Sequence, residues 1–228
     1  MENPVRLLST YALKGAIARL ASQFDTATGT NIEAEFAPTL ALLKRLRAGE
    51  AADVVILTRE GLDEMLAEGA VVASSAVDLA RSFVGIAVKA GSAHPDISSE
   101  AALVKTLLGA RSVAYSKVGA SGIYFAQLIE RLGIAAEINA RATVTSGFTA
   151  EKLVSAEADL AVQQISELKL VDGVEIVGPI PPTLQTPAVF SAGRMAASKR
   201  IEQSDRLLRY LTSPEVLPLL LESGLEQP

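Results

Sequence analysis

Short apolar runs alternate with helical segments along the whole chain, and this alternation limits the fold more than any other feature. Residues 5–8 and 32–36 have strand character, and residues 53–57 form a nearly continuous apolar run. Between them, Leu13, Ile17 and Leu20 follow helical spacing. A strand–helix–strand rhythm predicts an α/β protein with a parallel sheet and helices on its faces.

The alternation starts again after a second strong strand at residues 83–88. Helices are predicted at 100–108 and 121–132, and strands at 112–115, 160–163 and 174–177. Two α/β series in one chain of 228 residues predict two lobes. We expect residues 1–85 and 189–228 to form a discontinuous lobe I, and residues 86–188 to form lobe II.

The composition excludes several kinds of functional site. A net charge of −5 argues against a nucleic-acid-binding face, which would be basic. The chain has no cysteine and one histidine, so we expect no disulfide, no cysteine-ligated metal and no histidine-rich metal site. We accordingly predict no metal and no cofactor.

Neither a secretion signal nor a membrane span is apparent in the sequence. The first ten residues lack a basic stretch followed by an apolar stretch, and no apolar run approaches the roughly 20 residues that cross a bilayer. We therefore expect no membrane insertion and a cytoplasmic protein as the chain is written. The location would be periplasmic if a signal is missing from this sequence.

Small hydroxyl residues lie where predicted strands give way to helices. The segments are Ser9-Thr10-Tyr11, Pro38-Thr39 and the Ser-Lys-Val-Gly-Ala-Ser-Gly stretch at 116–122. In open α/β sheets ligands bind outside the carboxyl ends of the strands, and helix N-termini favour anions. The two glycines at 119 and 122 suggest a loop whose backbone approaches a ligand closely. Ordinary helix capping explains the same residues equally well.

Two adjacent amides, Gln163 and Gln164, end the apolar run at 160–162 and are further candidates. No catalytic triad can be assembled around the single histidine, His94, in a polar turn. The catalytic residues therefore remain unassigned, although Tyr11, Lys14 and Lys117 lie close in sequence to the candidate loops. The candidate ligand-binding residues are Ser9, Thr10, Tyr11, Thr39, Thr58, Ala120, Ser121, Gly122, Gln163 and Gln164.

Several segments resemble type II periplasmic binding proteins, and molybdate-binding proteins in particular. The Leu-Leu-Ser-Thr opening at 7–10 resembles the start of that superfamily. The Gly-Glu-Ala-Ala-Asp-Val segment at 49–54 and the Glu-Ala-Asp-Leu-Ala-Val segment at 157–162 resemble two of its strands. The similarity extends over about residues 5–220.

This resemblance implies two α/β lobes joined by two crossing strands, with a small anion bound in the cleft and lobe closure by a hinge motion. Ser9 matches the family's first hydroxyl ligand, and Thr39 falls where a second serine is usual. Ala120 and Ser121 match a backbone contact from the second lobe. Gln163 or Gln164 stands near the family's late tyrosine ligand.

Three functions are compatible with the resemblance. The first is a binding protein for an oxyanion such as molybdate or for a small carboxylate, monomeric and serving an ABC permease if the protein is exported. The second is an isomerase of small carboxylates, since aconitate isomerases look like members of this superfamily. The third is a ligand-sensing domain, which would need a separate DNA-binding partner.

Overall fold

The structure is a computed structural model that describes residues 4–228, and these residues contain ten β-strands and ten α-helices. The strands are β1 (Val5–Ser9), β2 (Ile32–Phe36), β3 (Val54–Thr58), β4 (Val77–Ser82), β5 (Val84–Lys89), β6 (Val113–Ser116), β7 (Thr143–Thr145), β8 (Leu160–Gln164), β9 (Val174–Pro179) and β10 (Ala188–Arg194). The helices are α1 (Lys14–Thr28), α2 (Thr39–Arg47), α3 (Arg59–Ala67), α4 (Glu100–Gly109), α5 (Ala120–Arg131), α6 (Ala135–Asn139), α7 (Glu151–Val154), α8 (Ile165–Leu168), α9 (Ile201–Leu211) and α10 (Leu217–Glu222).

The chain divides into two compact units. The first comprises Met1–Ser82 and Ala188–Pro228, and the second comprises Phe83–Pro187. The boundaries expected from the sequence fell after residues 85 and 188. The chain thus leaves the first unit between β4 and β5 and returns to it at β10.

The first unit has a five-stranded sheet in the order β2-β1-β3-β10-β4. Strands β1, β2 and β3 run parallel to one another, whereas β10 is antiparallel to both β3 and β4. The parallel sheet predicted from the alternation is therefore confirmed for β1, β2 and β3 and wrong for β10. The reason is topological, because β4 carries the chain out of the unit and β10 carries it back in the opposite direction between β3 and β4.

The second unit has its own five-stranded sheet in the order β7-β6-β8-β5-β9. Strands β6, β7 and β8 are parallel, and β5 is antiparallel to its neighbours β8 and β9. In each sheet, therefore, four strands run in one direction and the fifth runs in the opposite direction, which is β10 in the first unit and β5 in the second. In each unit the three parallel strands bring their carboxyl ends to one edge.

Apolar side chains cover both faces of each sheet. In β3, Val54 and Ile56 pack into one cluster of buried residues, while Val55 and Leu57 pack into another. In the second unit, Leu160 and Val162 of β8 belong to one cluster and Ala161 belongs to another. Successive side chains of a strand point to opposite faces, so a continuous apolar run is what a doubly covered strand requires.

Strands β4 and β7 and helices α6 and α8 were not predicted from the sequence. Strand β4 has the sequence Val-Asp-Leu-Ala-Arg-Ser and lies at a sheet edge, so part of it is exposed and its apolar pattern is broken. The other three contain three to five residues each, which is too short for a periodic pattern to stand out. In the described residues no helix has both the length and the apolar character that a membrane span requires.

Candidate functional site

The carboxyl edge of the first unit's sheet collects the hydroxyl residues predicted there. Ser9 at the end of β1 pairs with Phe36 of β2 and with Ile56 of β3. The residues that follow these strand ends therefore emerge side by side, since neighbouring strands are about 4.8 Å apart. Thr10, Thr39 and Thr58 all belong to this group.

Thr10 carries an unusual hydroxyl. Its side chain is 4% exposed, and its Oγ1 atom is buried without a hydrogen-bond partner within residues 4–228. Its backbone N–H donates to the carbonyl oxygen of Ile56 at 3.0 Å, which fixes the residue at the edge of β3. A buried unpaired hydroxyl costs about 1–3 kcal/mol, so this group is suited to a polar ligand that would satisfy it.

Ser9 and Tyr11 flank this threonine. Ser9 is completely buried, and its Oγ donates to the carbonyl oxygen of Thr10 at 3.1 Å. Its hydroxyl proton is therefore already used in the structure. Tyr11 begins a short 3₁₀ turn, Tyr11–Leu13, and its side chain is partly exposed.

Thr39 and Thr58 contact each other across the starts of α2 and α3. The backbone N–H of Thr58 donates to Thr39 Oγ1 at 3.1 Å, and Thr58 Oγ1 accepts from the N–H of Gly61 at 3.4 Å. Both hydroxyl oxygens act as acceptors here, so their protons remain free to donate to an anion. A Cβ atom at Gly61 would lie 2.5 Å from Thr39 Cγ2, so the glycine makes room for this contact.

The second unit has an equivalent carboxyl edge. Strands β6 and β8 pair in parallel at Val113 with Leu160 and at Ala114 with Ala161, and continuing this register places Ser116 beside Gln163. Ser116 Oγ accepts from the N–H groups of Val118 at 3.2 Å and Gly119 at 3.3 Å. This side chain thereby shapes the loop that leads into α5.

Helix α5 begins at this edge with free donors. The backbone N–H groups of Ala120 and Ser121 donate to no other group in the part of the chain that the structure describes. Ser121 is 4% exposed, whereas Ala120 is exposed. The start of a twelve-residue helix with two unpaired N–H groups favours an anion electrostatically.

The glycine at 122 has a different role from the expected one. A Cβ atom there would lie far inside van der Waals contact with the carbonyl oxygen of Ser116. The absent side chain therefore lets α5 pack against the end of β6. Close approach of the backbone to a ligand is not needed to explain this glycine.

The amides at the end of β8 are held inside the protein. Gln163 is 5% exposed, and its Oε1 accepts from the N–H of Thr149 at 2.8 Å and from Thr149 Oγ1 at 3.0 Å. Its Nε2 donates to Oε2 of Glu167. Gln164 is 3% exposed and precedes α8 directly. Gln163 thus positions two other polar residues with both ends of its amide.

Glu167 is a functional candidate that the sequence analysis missed. It lies in α8 one turn after Gln163, and its side chain is partly buried. Burial raises the pKa of Glu167 to about 7, although the hydrogen bond from Gln163 acts in the opposite direction. A carboxyl group with such a pKa exchanges protons near neutral pH, as a general acid or base must. The only signal in the sequence was the spacing of four residues between Gln163 and Glu167. This spacing predicts a contact only if the segment is helical, and α8 was not predicted.

The aspartate of the Gly-Glu-Ala-Ala-Asp-Val segment, Asp53, lies at the opposite edge of the first sheet. Asp53 precedes β3 and accepts from the backbone N–H of Arg6 at 2.9 Å, from Ser198 Oγ at 2.7 Å and from Arg200 at 3.1 Å. Its side chain is buried, and all of these partners belong to the first unit. Asp53 therefore joins chain segments rather than forming part of the carboxyl edge.

The predicted residues thus form two groups. Ser9, Thr10, Tyr11, Thr39 and Thr58 lie at the carboxyl edge of the first unit, and Ala120, Ser121, Gly122, Gln163 and Gln164 lie at that of the second. Across residues 4–228 no group of three or more His, Asp or Glu side chains is arranged to bind a metal ion.

A family model described as bacterial extracellular solute-binding protein matches residues 5–226. The chain belongs to this family. Among curated proteins, this solute-binding protein is 36% identical over 227 residues to an aconitate isomerase from a Pseudomonas species, covering 96% of this chain and 86% of the relative.

Solved structures of periplasmic binding proteins share the fold. The periplasmic molybdate-binding protein of Azotobacter vinelandii matches with a TM-score of 0.82 and 17% identity, covering 98% of this chain and 99% of that one. A sulfate-binding protein of Mycobacterium tuberculosis matches with a TM-score of 0.76 and 13% identity, covering 98% and 86% of the two chains. The predicted membership of the type II periplasmic binding protein superfamily and its two-lobed α/β fold class are confirmed.

Proposed function

We propose that this solute-binding protein is an isomerase of a small unsaturated carboxylate of the aconitate type. The observation that carries the proposal is the 36% identity to an aconitate isomerase across 96% of the chain. Transport receptors of the same fold are only 13–17% identical in the two solved structures described above. Identity spread along the whole chain favours a shared activity more than a shared fold does.

The reaction requires only the movement of one proton and one double bond. Aconitate carries a methylene group next to a carbon–carbon double bond, with a carboxylate on each of its three backbone carbons. Removing a methylene proton and returning a proton to the far alkene carbon moves the double bond by one position. The product has the same constitution, and the new double bond forms in either geometry, so the cis and trans isomers interconvert without an oxidant or a metal.

Each of the two carboxyl edges offers donors of the kind that bind a carboxylate. The Thr10 hydroxyl and the free N–H groups of Ala120 and Ser121 are donors that suit carboxylates. Such donors bind an anion without a full countercharge, so a net charge of −5 does not oppose the proposal. The hydroxyl protons of Thr39 and Thr58 supply further donors in the first unit.

Solvent isotope exchange tests this function directly. The purified protein is incubated with trans-aconitate in D₂O and followed by proton NMR. We expect cis-aconitate to form and deuterium to enter the carbon skeleton. Saturable binding of aconitate with neither product nor exchange would refute the enzyme and leave a binding protein.

A second candidate function is that of a receptor for an ABC permease, which the family description favours. Its ligand would be an oxyanion or a small carboxylate that is released unchanged. A panel of molybdate, sulfate, phosphate, citrate and aconitate distinguishes the candidates by thermal unfolding, because a ligand at 100 times its Kd stabilises the fold by about 2.7 kcal/mol. Stabilisation by molybdate or sulfate and none by aconitate would favour the receptor.

A further inference from the structure

We propose that Glu167 is the proton carrier of this isomerase, taking the methylene proton of the substrate and returning a proton to the far alkene carbon. This inference rests on the proposed function and extends it to one residue. The carrier must lie at the ligand-binding edge, be held in a fixed orientation and reach both protonation states near neutral pH. Each of these requirements is met by observations on the second unit.

The position of Glu167 follows from the path of the chain. Strand β8 ends at Gln164, and α8 begins at the next residue, so Glu167 lies within one turn of the carboxyl end of β8. The register of β6 and β8, paired at Ala114 and Ala161, would place Ser116 beside Gln163 if it continued by two residues. Glu167 therefore belongs to the same sheet edge as the loop that starts α5.

A chain of hydrogen bonds orients the carboxyl group. The N–H and the Oγ1 of Thr149 both donate to Gln163 Oε1, which fixes which end of the amide carries the NH₂ group. That NH₂ group donates to Glu167 Oε2. One carboxyl oxygen is thus engaged, whereas Oε1 accepts from no group within residues 4–228 and is the oxygen that we propose exchanges a proton with a ligand.

The charged residues of the three strands that pack against α8 lie away from this carboxyl. Helix α8 packs against β5, β8 and β9, whose charged residues are Lys89 and Glu175. Both side chains are exposed. They lie at the end of the sheet where Lys89 pairs with Val174. Helix α8 follows the opposite end, where Gln164 pairs with Val84. Lys169, two residues further along, is exposed.

Burial explains the proton affinity of Glu167. It raises the pKa of Glu167 to about 7, so the carboxylate and the carboxylic acid are both populated near neutrality. In the forward step the C–H bond breaks, the proton passes to the carboxylate, and the electron pair is delocalised into the adjacent double bond and carboxylate. In the return step the carboxylic acid of Glu167 gives its proton to the far alkene carbon, and this step restores the carboxylate.

The sign of the pH dependence follows from this assignment. The free enzyme must hold Glu167 as a carboxylate to accept the methylene proton. We therefore expect kcat/KM to increase with pH through about 7. This increase reports the pKa of Glu167 in the free enzyme.

The test compares Glu167→Gln with Glu130→Gln, which makes the same substitution at an exposed position on α5 of the same unit. In Glu167→Gln the side-chain amide oxygen can still accept a hydrogen bond from Gln163 Nε2, so the contact between α8 and β8 is kept. We expect Glu167→Gln to lower both isomerisation and deuterium exchange by at least about 100-fold, with the Kd for aconitate within about threefold of the parent. Glu130→Gln should match the parent in every measurement.

A second variant separates proton transfer from a structural role. Gln163→Met removes the donor that lowers the pKa of Glu167 while keeping the side-chain length. The rising limb of kcat/KM should shift to higher pH in this variant. An unshifted limb, or an active Glu167→Gln variant, would overturn the assignment of Glu167.

The outcomes also separate this inference from the proposed function. An inactive parent protein that binds aconitate without exchange refutes the isomerase itself. An active parent together with an active Glu167→Gln variant refutes only the assignment of the proton carrier.

Discussion

At the scale of single residues, the Thr10 hydroxyl carries the most information about binding. It is buried and unpaired in the described part of the chain, and Thr30 shows the same property before β2, at the amino edge of the same sheet. The two threonines thus form a matched pair, since they share burial and an unpaired hydroxyl but lie at opposite edges. Only Thr10 lies among the residues that we propose to bind the ligand.

Replacing Thr10 with valine should weaken aconitate binding without destabilising the protein. No hydrogen bond of the hydroxyl is lost in the unliganded state, so the free energy of unfolding should stay constant or increase by up to about 1 kcal/mol. Loss of a bond to a charged ligand should increase Kd by about 10–100-fold. Calorimetric titration and chemical denaturation measure the two quantities.

The control is Thr30→Val, which should have the same small effect on stability and none on Kd. Equal affinities of the two variants would remove Thr10 from the site.

At the scale of elements, the junction between β6 and α5 depends on one glycine. The carbonyl oxygen of Ser116 occupies the space that a side chain at 122 would need. Gly109 at the end of α4 has open space around it. Neither Gly109 nor Gly122 has a positive φ, so the two helical glycines are compared by their packing. This contrast attributes the glycine at 122 to the contact between strand and helix.

We expect Gly122→Ala to reduce the free energy of unfolding by about 1–3 kcal/mol, because overpacking displaces α5 from β6. The same shift moves the N–H groups of Ala120 and Ser121, so affinity for aconitate should fall as well. Urea denaturation and titration of the folded variant measure both effects.

For comparison, Gly109→Ala should leave both quantities unchanged or increase stability by up to about 1 kcal/mol, as expected for alanine in a helix. An unaltered stability of Gly122→Ala would contradict the packing role of the glycine.

At the scale of the whole molecule, the two units differ in how the chain forms them. Every sheet neighbour of β5 to β9 lies within residues 83–187, and so do both of that unit's clusters of buried residues. The first unit, in contrast, needs β10 between β3 and β4 to complete its sheet. The second unit is therefore a continuous folding unit and the first is not.

A fragment spanning residues 83–187 should fold by itself, with cooperative thermal unfolding and the circular dichroism of a mixed α/β protein, since its size is usual for a domain. A fragment spanning residues 1–82 should not, because β3 and β4 lack the strand between them. Cooperative unfolding of the shorter fragment, or disorder of the longer one, would contradict this account.

The sequence by itself determined the parts of the protein that follow from local patterns. Helical spacing predicted α1, the apolar run predicted β3, and the small hydroxyl residues were predicted to lie where strands give way to helices. These inferences hold because periodicity and the geometry of strand ends depend on neighbouring residues.

Only the tertiary structure decided what the individual polar groups do. It placed β10 antiparallel between β3 and β4 and tied Gln163 to Thr149 and Glu167. It also left the Thr10 hydroxyl without a hydrogen-bond partner within residues 4–228. It also gave Glu167 its pKa near 7, which depends on burial rather than on adjacent residues. The physical reason is common to all of these features, because hydrogen-bond partners and desolvation are set by segments that are distant in sequence and meet only in the folded chain.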